Sequence, residues 1–253
     1  MEWKEQRNDI YMIFIVISIC LTVSLLNGMT HAYGVDLYTK SDKPFGISLD
    51  DWIGKWWTWW FGIPASELPN NMPRSNCLVN ISDSMVMLME TTAVVNKANP
   101  QECKITSDQG VMIPLWTGYW YDAPEVPSKS FKELSEEARR SSNLGQITSK
   151  VIIDGSPISI LDVESKIDGV SVYLMENVTE IYAKGFNFTI PDGFGKRFVG
   201  QDVYEGQTHR FGAHGWFVFL KSLPVGDHTI TYDIGNKGPN NAARVITYLL
   251  HVS

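Results

Sequence analysis

The sequence has few cysteines and few clustered positive charges, which argues against two classes of function. Three cysteines occur among 253 residues, and no two have the Cys-x-x-Cys spacing common in zinc modules. Lysine and arginine total 21 against 28 acidic residues, so the net charge is −7, and the longest basic cluster is Arg139-Arg140. Nucleic-acid backbones are bound through clustered basic side chains. We therefore expect no nucleic-acid partner.

Several catalytic signatures are also missing. The chain has no Gly-x-Ser-x-Gly nucleophile motif, no His-Glu-x-x-His metal motif, no glycine-rich phosphate loop and no dinucleotide fingerprint. Nothing in the sequence supports nucleophilic or nucleotide chemistry, and the balance favours a protein that is not an enzyme.

One long hydrophobic run is present, at residues 10–26, and it carries no charge. Its 17 residues lie at the lower edge of a membrane span and just above a signal-peptide core. Met29-Thr30-His31-Ala32 favours cleavage before Tyr33, whereas the mixed charge of residues 1–9 favours an uncleaved anchor. Residues 1–32 are predicted to be a signal peptide or membrane anchor. Residues 33–253 are predicted to be one extracytoplasmic domain, secreted or anchored facing outward.

The remaining cysteines and the glycosylation sequons agree with export. Cys77 and Cys103 are predicted to form a disulfide that closes a loop of about 26 residues, worth about 3 kcal/mol in the loop-entropy picture. Free thiols or metal ligands are the alternatives. Three Asn-x-Ser/Thr sequons would be surface glycan acceptors in a host that glycosylates exported proteins: Asn80, Asn177 and Asn187.

Aromatic residues are abundant, with nine Trp, ten Tyr and eleven Phe. Four tryptophans predict an amphipathic helix, because they recur at i, i+4, i+7 and i+8: Trp52, Trp56, Trp59 and Trp60. Ser48 with Asp51 resembles a capping box, and Gly62 before Pro64 is a stop signal. We expect the tryptophan face to be buried against a sheet.

Most of the remaining chain reads as short strands separated by turn signals. Gly110–Trp120 is predicted to be a strand with an edge or a bulge at Pro114, and Asp154-Gly155 is predicted to be a hairpin turn. A second, short helix is predicted over 128–140, and the Gly-rich segment 193–215 is predicted to be a loop. The fold class is mainly β: an antiparallel β-sandwich, jelly-roll or Ig-like, with the Trp-rich helix packed on it.

Histidine and methionine clusters give candidate metal sites. His209 and His214 in the Gly-rich segment, with His228 on a nearby strand, would suit copper or zinc, although structural roles for these histidines are the simpler interpretation. Met85, Met87 and Met89 alternate on one strand and would suit Cu(I), although core filling is the more common role of such methionines. The absence of a cofactor remains the simplest expectation.

Two further sites involve sugars. Asp192 with Asp202 or Glu205 offers a carboxylate pair for glycoside hydrolysis, although acidic residues in loops are usually only solvated. The run Tyr119-Trp120-Tyr121 is followed by Asp122-Ala-Pro. We expect a loop here, whose aromatic side chains stack on a sugar or anchor a partner. The alternative is that these rings pack against the Trp helix.

Four stretches of the sequence are distinctive: the Trp helix, QGVMIPLW after Cys103, VIIDGSPI, and WFVFLKSLPVGDHTITY. Together they resemble an uncharacterised family of exported prokaryotic proteins associated with ammonia-oxidising archaea. The resemblance covers most of the chain after the export segment and implies export and a β-sandwich. It implies no activity and no site residues.

The sequence thus predicts an exported, non-catalytic binding or envelope-structural module. Its expected partners are a cell-surface glycan or an envelope protein, and the membrane if the N-terminal segment is retained. The alternatives are a copper- or zinc-binding exported protein and a carbohydrate-active enzyme.

Overall fold

Strands account for most of the residues that the structure describes. The computed structural model describes residues 35–62, 78–88, 100–122, 128–141, 145–166, 169–191, 205–236 and 244–253. The α-helices are α1 (Leu49–Gly62) and α2 (Phe131–Ser141), and a short 3-10 helix spans Pro44–Gly46. The strands are β1 (Leu78–Ser82), β2 (Met85–Leu88), β3 (Gln101–Ile105), β4 (Gly110–Tyr121), β5 (Gly145–Ile153), β6 (Ser156–Lys166), β7 (Gly169–Glu176), β8 (Thr179–Tyr182), β9 (Phe186–Thr189), β10 (Thr208–Leu220), β11 (Gly226–Asn236) and β12 (Arg244–Val252).

The strands form two six-stranded sheets that pack together as a β-sandwich, as the sequence predicts. Sheet I has the order β1-β2-β4-β10-β8, and β9 also pairs with β10. Sheet II has the order β3-β12-β11-β5-β6-β7. Each sheet contains one parallel pair, β2 with β4 and β3 with β12. The sheets are therefore mixed, a detail that a succession of turn signals does not reveal.

β10 is the central strand of sheet I, and both of its faces are covered. Every residue from Phe211 to Leu220 is buried. Because side chains alternate along a strand, Phe211, Ala213, Phe217 and Phe219 face α1, and the even-numbered residues between them face the other way. The prediction that 193–215 is a loop is wrong from Thr208 onward, since β10 begins there.

α1 covers the outer face of sheet I with its rings. Ser48 caps its N-terminus together with Asp51, as predicted: the backbone N–H of Asp51 donates to Ser48 Oγ at 3.3 Å, and the Ser48 hydroxyl donates to Asp51 Oδ2 at 2.5 Å. Its buried residues are Leu49, Trp52, Ile53, Trp56, Trp57 and Phe61. The predicted face is thus correct for Trp52 and Trp56, but Trp57 is buried and Trp59 and Trp60 are only half-buried.

α2 packs on the opposite face of sheet I, beside β4 and β10. It begins at Phe131, three residues after the predicted start, behind a capping box in which the backbone N–H of Ser130 donates to Glu133 Oε2 at 2.7 Å. Gly212 permits the close approach of this helix, because a Cβ there would stand 2.3 Å from the backbone nitrogen of Ser135.

Two local turns match the sequence pattern. Asp154 and Gly155 both have positive φ, 49° and 81°, as a type I′ hairpin turn between β5 and β6 requires. β4 carries the predicted bulge beside Pro114, since Trp216 pairs with Trp116 while Phe217 pairs with Pro114. β4 is an interior strand, so the bulge is what accommodates the proline.

No helix within the described residues is long and apolar enough to cross a membrane. The hydrophobic run at residues 10–26 lies outside the described ranges. Export therefore stays a prediction from the sequence.

Candidate functional site

A groove of about 490 Å³ lies between the exposed side of α1 and the segment joining β8 to β9. The helix contributes its first two turns and the half-buried ring of Trp59, and the opposite wall is a short run of β8–β9 residues. The groove is lined by Asp50, Asp51, Gly54, Lys55, Thr58, Trp59, Lys184, Gly185 and Phe186. We call it the α1 groove.

One pair of charged groups is joined across the width of the α1 groove. Lys184 Nζ donates to Asp51 Oδ2 at 2.9 Å and to Ser48 Oγ at 3.2 Å. The hydrogen bond from Ser48 and then the one from Lys184 lower the pKa of Asp51, and the hydrogen bond to Asp51 raises the pKa of Lys184. These contacts fix the position of Lys184 relative to the helix N-terminus.

Asp50 stands beside this pair in a different environment. Burial raises the pKa of Asp50, and the positive charges of Lys184 and Lys40 oppose that rise. With Lys55, the groove therefore presents two carboxylates and two ammonium groups. Its lining has both hydrogen-bond acceptors and donors, and its formal charges cancel.

Gly54 leaves the floor of the groove open. It lies in the interior of α1, where glycine costs about 1 kcal/mol relative to alanine. A Cβ at this position would contact Phe186 Cδ1 at 3.8 Å, an ordinary van der Waals distance. Packing therefore does not require the glycine. The missing side chain does widen the groove.

Gly185 shapes the far wall of the groove for a different reason. Its φ is +91°, a conformation that side chains rarely adopt, and a Cβ there would stand 2.1 Å from the Phe131 ring. The β8–β9 segment can pass this close to Phe131 of α2 only because this residue has no side chain.

The three predicted aromatic ligand contacts lie on strand β4 and face opposite ways. Tyr119 and Tyr121 join the aromatic layer under α1, where the Tyr119 ring lies 4.7 Å from Phe61 and the Tyr121 ring 5.2 Å from Phe211. Trp120 pairs with Gly212 on the other face and is 40% exposed. The three residues thus do not form one ring-lined loop, and strand alternation is the reason.

The three histidines predicted to bind a metal each contact different residues and do not form one site. His209 Nδ1 lies 2.6 Å from the Asp122 carbonyl oxygen, and His214 Nε2 lies 2.9 Å from Glu180 Oε1. His228 belongs to sheet II, with Nδ1 2.8 Å from Asp154 Oδ2 and Nε2 2.8 Å from the Pro224 carbonyl oxygen. Across the described ranges, no group of three or more His, Cys, Asp or Glu is placed to hold a metal ion.

His214 is part of a polar cluster between β8, β10 and α2. It is 0% exposed, and Glu180 accepts from both His214 and Arg139 Nε, each at 2.9 Å. Burial lowers the pKa of His214, although Glu180 opposes the shift. Burial alone would raise the pKa of Glu180, but the hydrogen bond and charge of His214, together with Arg139, lower it to about 2.

Tyr182 connects this cluster to a second cavity. Its ring lies 4.8 Å from that of His214, and burial, followed by the charge of Glu180, raises its pKa to about 12. The cavity has about 310 Å³ and is lined by Lys132, Ser135, Glu136, Tyr182, Ala183 and Lys184. Lys184 lines both this cavity and the α1 groove, so the two are neighbours.

The other predicted site residues are only partly within the described ranges. Met85 and Met87 are buried in the core under α1, whereas Met89 lies outside the description. Asp192 and Asp202 also lie outside it, so the predicted carboxylate pair stays a prediction. Cys103 is buried on β3, but Cys77 is outside the described residues, and their disulfide stays a prediction.

The described sequons differ in their surroundings. Asn177 is exposed with a φ of 53°, and its Nδ2, the atom that a glycan would modify, donates to the Ile158 carbonyl oxygen at 2.7 Å. Asn187 is exposed on β9, and Asn80 lies on β1. Of Asn177 and Asn187, Asn187 is thus the more accessible glycan acceptor.

Comparison of the chain with known protein families, curated proteins and solved structures gives no match. The resemblance to exported archaeal proteins therefore stays a prediction.

Proposed function

We propose that this chain is an exported, non-catalytic module that binds a glycan in the α1 groove. The observation that carries the proposal is the combination, in one groove, of the half-buried Trp59 ring with oppositely charged side chains that sum to zero charge. A pyranose has an apolar face that stacks on aromatic rings and hydroxyls that both donate and accept. The groove offers each of these partners.

The charge balance selects among sugars. A strongly anionic glycan would meet Asp50 and Asp51, and a strongly cationic one would meet Lys55 and Lys184. Neither ligand would find a net opposite charge, so we expect a neutral polysaccharide or oligosaccharide. The Asp51–Lys184 pair is already hydrogen-bonded in the free protein, which lowers the ordering cost of binding.

Export is proposed from the sequence, and it agrees with such a role. The uncharged run at residues 10–26 and the predicted disulfide are typical of a domain outside the cytoplasm. In that compartment, cell-surface glycans are the abundant polyhydroxyl ligands.

The test is titration calorimetry of the full chain, purified in mild detergent, against neutral, acidic and amino-sugar oligosaccharides. Gly54→Leu should weaken binding of a neutral sugar at least about tenfold, because it fills the floor of the groove while favouring the helix. Trp59→Ala should do the same by removing the stacking face.

Two controls make the outcome specific. Trp120→Ala removes an exposed tryptophan from the opposite face of sheet I and should leave affinity unchanged. Gly54→Ala adds one methyl group at a tolerated position and should weaken binding far less than leucine. No binding to any glycan, or an affinity lost only in Trp120→Ala, would refute the proposal, and the second result would restore the site predicted from the sequence.

A further inference from the structure

The segment joining β8 to β9, residues 183–185, separates two cavities, and we call it the ridge. Lys184 lines both the α1 groove and the cavity of about 310 Å³ beside α2, which we call the α2 cavity. β8 is the last strand in the order of sheet I, and α1 and α2 pack on opposite faces of that sheet. The two cavities therefore lie on either side of one sheet edge.

The α2 cavity repeats the composition of the α1 groove. Tyr182 gives it a half-buried aromatic ring, as Trp59 does in the groove. Lys132 and Glu136 give it one ammonium group and one carboxylate, so its own charges cancel when Lys184 is counted with the groove. Two neighbouring cavities of the same chemistry suit a ligand whose chemical units repeat.

We propose that the α2 cavity is a second sugar subsite, and that the ligand is a neutral oligosaccharide whose chain crosses the ridge from one cavity to the other. This inference rests on the proposed function of the α1 groove. Ligand pockets usually have about 300–1,000 Å³. The α2 cavity, at about 310 Å³, is at the lower end of this range and has room for a short stretch of the chain.

Lys184 is placed to contact a sugar on the ridge itself. An ammonium group has three N–H donors. Within the described ranges, the hydrogen bonds of Lys184 Nζ are those to Asp51 Oδ2 and Ser48 Oγ, which leaves one donor for a sugar hydroxyl. The side chain is exposed, so an oligosaccharide can reach this donor from solvent.

The ridge is held from both sides before any ligand binds. On the α2 side, the Ser135 hydroxyl donates to the Ala183 carbonyl oxygen at 3.0 Å. The backbone N–H of Ala183 donates to the Ala213 carbonyl oxygen at 2.9 Å, and Lys184 is bonded to Asp51 on the α1 side. A preformed ridge lowers the ordering cost of a ligand that lies across it.

The Tyr182 hydroxyl can bind a ligand in the α2 cavity. It lies 3.4 Å from Glu180 Oε1, whereas hydroxyl hydrogen bonds are usually about 2.5–3.0 Å long. Glu180 already accepts from His214 and Arg139 at 2.9 Å, so the cluster does not depend on this hydroxyl. Burial, followed by the charge of Glu180, raises the pKa of Tyr182 to about 12, and the group therefore keeps its proton for donation to a sugar.

The test is titration calorimetry of the full chain in mild detergent against neutral glucose and N-acetylglucosamine oligomers, from the single sugar to the hexamer. In the series that binds, affinity should rise at least about tenfold once the chain crosses the ridge, because the second contact is then intramolecular. Tyr182→Phe keeps the ring and removes one hydrogen bond. It should weaken binding of these longer oligomers about threefold to tenfold and leave the shortest oligomer that binds unaffected.

Glu136→Gln tests the same subsite from α2. It keeps the shape of the side chain, removes a charged acceptor from the cavity, and should also weaken binding of the longer oligomers alone. Glu137→Gln is the matched control, since Glu137 is the next residue of α2, pairs with Lys129 and does not line the cavity. It should bind oligomers of every length as the wild type does.

The outcomes separate this inference from the function on which it rests. An affinity that does not change with oligomer length would overturn the second subsite and leave the α1 groove as the binding site. Equal weakening of short and long oligomers by Tyr182→Phe would do the same. Absence of binding, or binding of long oligomers that Gly54→Leu does not weaken, would overturn the proposed function and this inference with it.

Discussion

The two faces of sheet I differ in one respect, a buried polar cluster on one of them, although the same strand, β10, provides the centre of both. On the α1 face, odd-numbered residues such as Phe211 meet rings from the helix and from β4 and β9. On the α2 face, even-numbered residues such as His214 meet Glu180 and Arg139. The α1 face is packed with apolar side chains, whose contribution depends little on pH. The α2 face combines buried apolar residues such as Trp216 and Leu134 with this cluster of charges and hydrogen bonds, whose contribution does depend on pH.

The largest expected effect comes from breaking the aromatic face. Phe61 is fully buried, and its ring lies 4.9 Å from Phe211 and 4.7 Å from Tyr119. Phe61→Ala should lower the free energy of unfolding by about 3–5 kcal/mol, with little dependence on pH. Denaturant unfolding measures this free energy, and Phe61→Leu should lower it much less than Phe61→Ala. A loss below about 1 kcal/mol for the alanine variant would show that the face tolerates a cavity.

Acid should weaken the charged cluster of the α2 face. The lowered pKa of His214 means that the unfolded chain takes up its proton first as pH falls below 6.5, so stability begins to fall there. The pKa of Glu180 moves from 4.5 to about 2, so its contribution is present above pH 4.5 and is lost as pH falls toward 2.

Glu180→Gln tests this acid response directly, because glutamine keeps the shape of the side chain and removes its negative charge. We expect a loss of about 1–3 kcal/mol at pH 7 and a flatter decline of stability below pH 4.5. Thermal unfolding across pH measures both quantities. Phe61→Leu, on the other face, should show the same dependence of stability on pH as the wild type. If the stability of Glu180→Gln also fell with pH in parallel with the wild type, Glu180 would not contribute to the loss of stability in acid.

The smallest expected effect is a gain. Gly54→Ala adds a methyl group at ordinary contact distance from Phe186 and removes a helix-interior glycine, so it should raise the free energy of unfolding by up to about 1 kcal/mol. Denaturant unfolding of both forms measures the difference. A loss of stability would mean that the glycine is needed for packing, and the openness of the groove would lose its functional explanation.

Local signals in the sequence predict the local structure well. The Ser48–Asp51 cap, the Asp154-Gly155 turn and the bulge at Pro114 depend on residues within a few positions of one another, and each is confirmed. The helix face is offset because Trp56 and Trp57 both turn inward, whereas the i, i+4, i+7 and i+8 spacing selected Trp59 and Trp60.

The candidate site depends on contacts that the sequence does not encode locally. Lys184 and Asp51 are hydrogen-bonded although they are 133 positions apart in the chain, and no sequence pattern around either residue predicts this contact. One signal was present, since Gly54 interrupts an otherwise strong helix. The predicted strand Gly110–Trp120 already contained Tyr119 and Trp120, and alternation along it places these two on opposite faces. The expectation of one ring-lined loop did not apply this alternation.

The parallel pairing of β3 with β12 has a consequence for how quickly the molecule forms. Gln101 is aligned with Tyr248, 147 positions later in the chain (248 minus 101), and β12 is the only described partner of β3. Loop closure over such a distance is entropically unfavourable until many other contacts exist, and folding slows as the mean separation of contacting residues grows. Of the described strand pairs, β3 with β12 therefore requires the longest loop closure. Glu102 and Lys104 are exposed on β3, and charged side chains on an edge strand discourage pairing with another chain. We expect these two charges to protect β3 from wrong partners during folding, before β12 pairs with it.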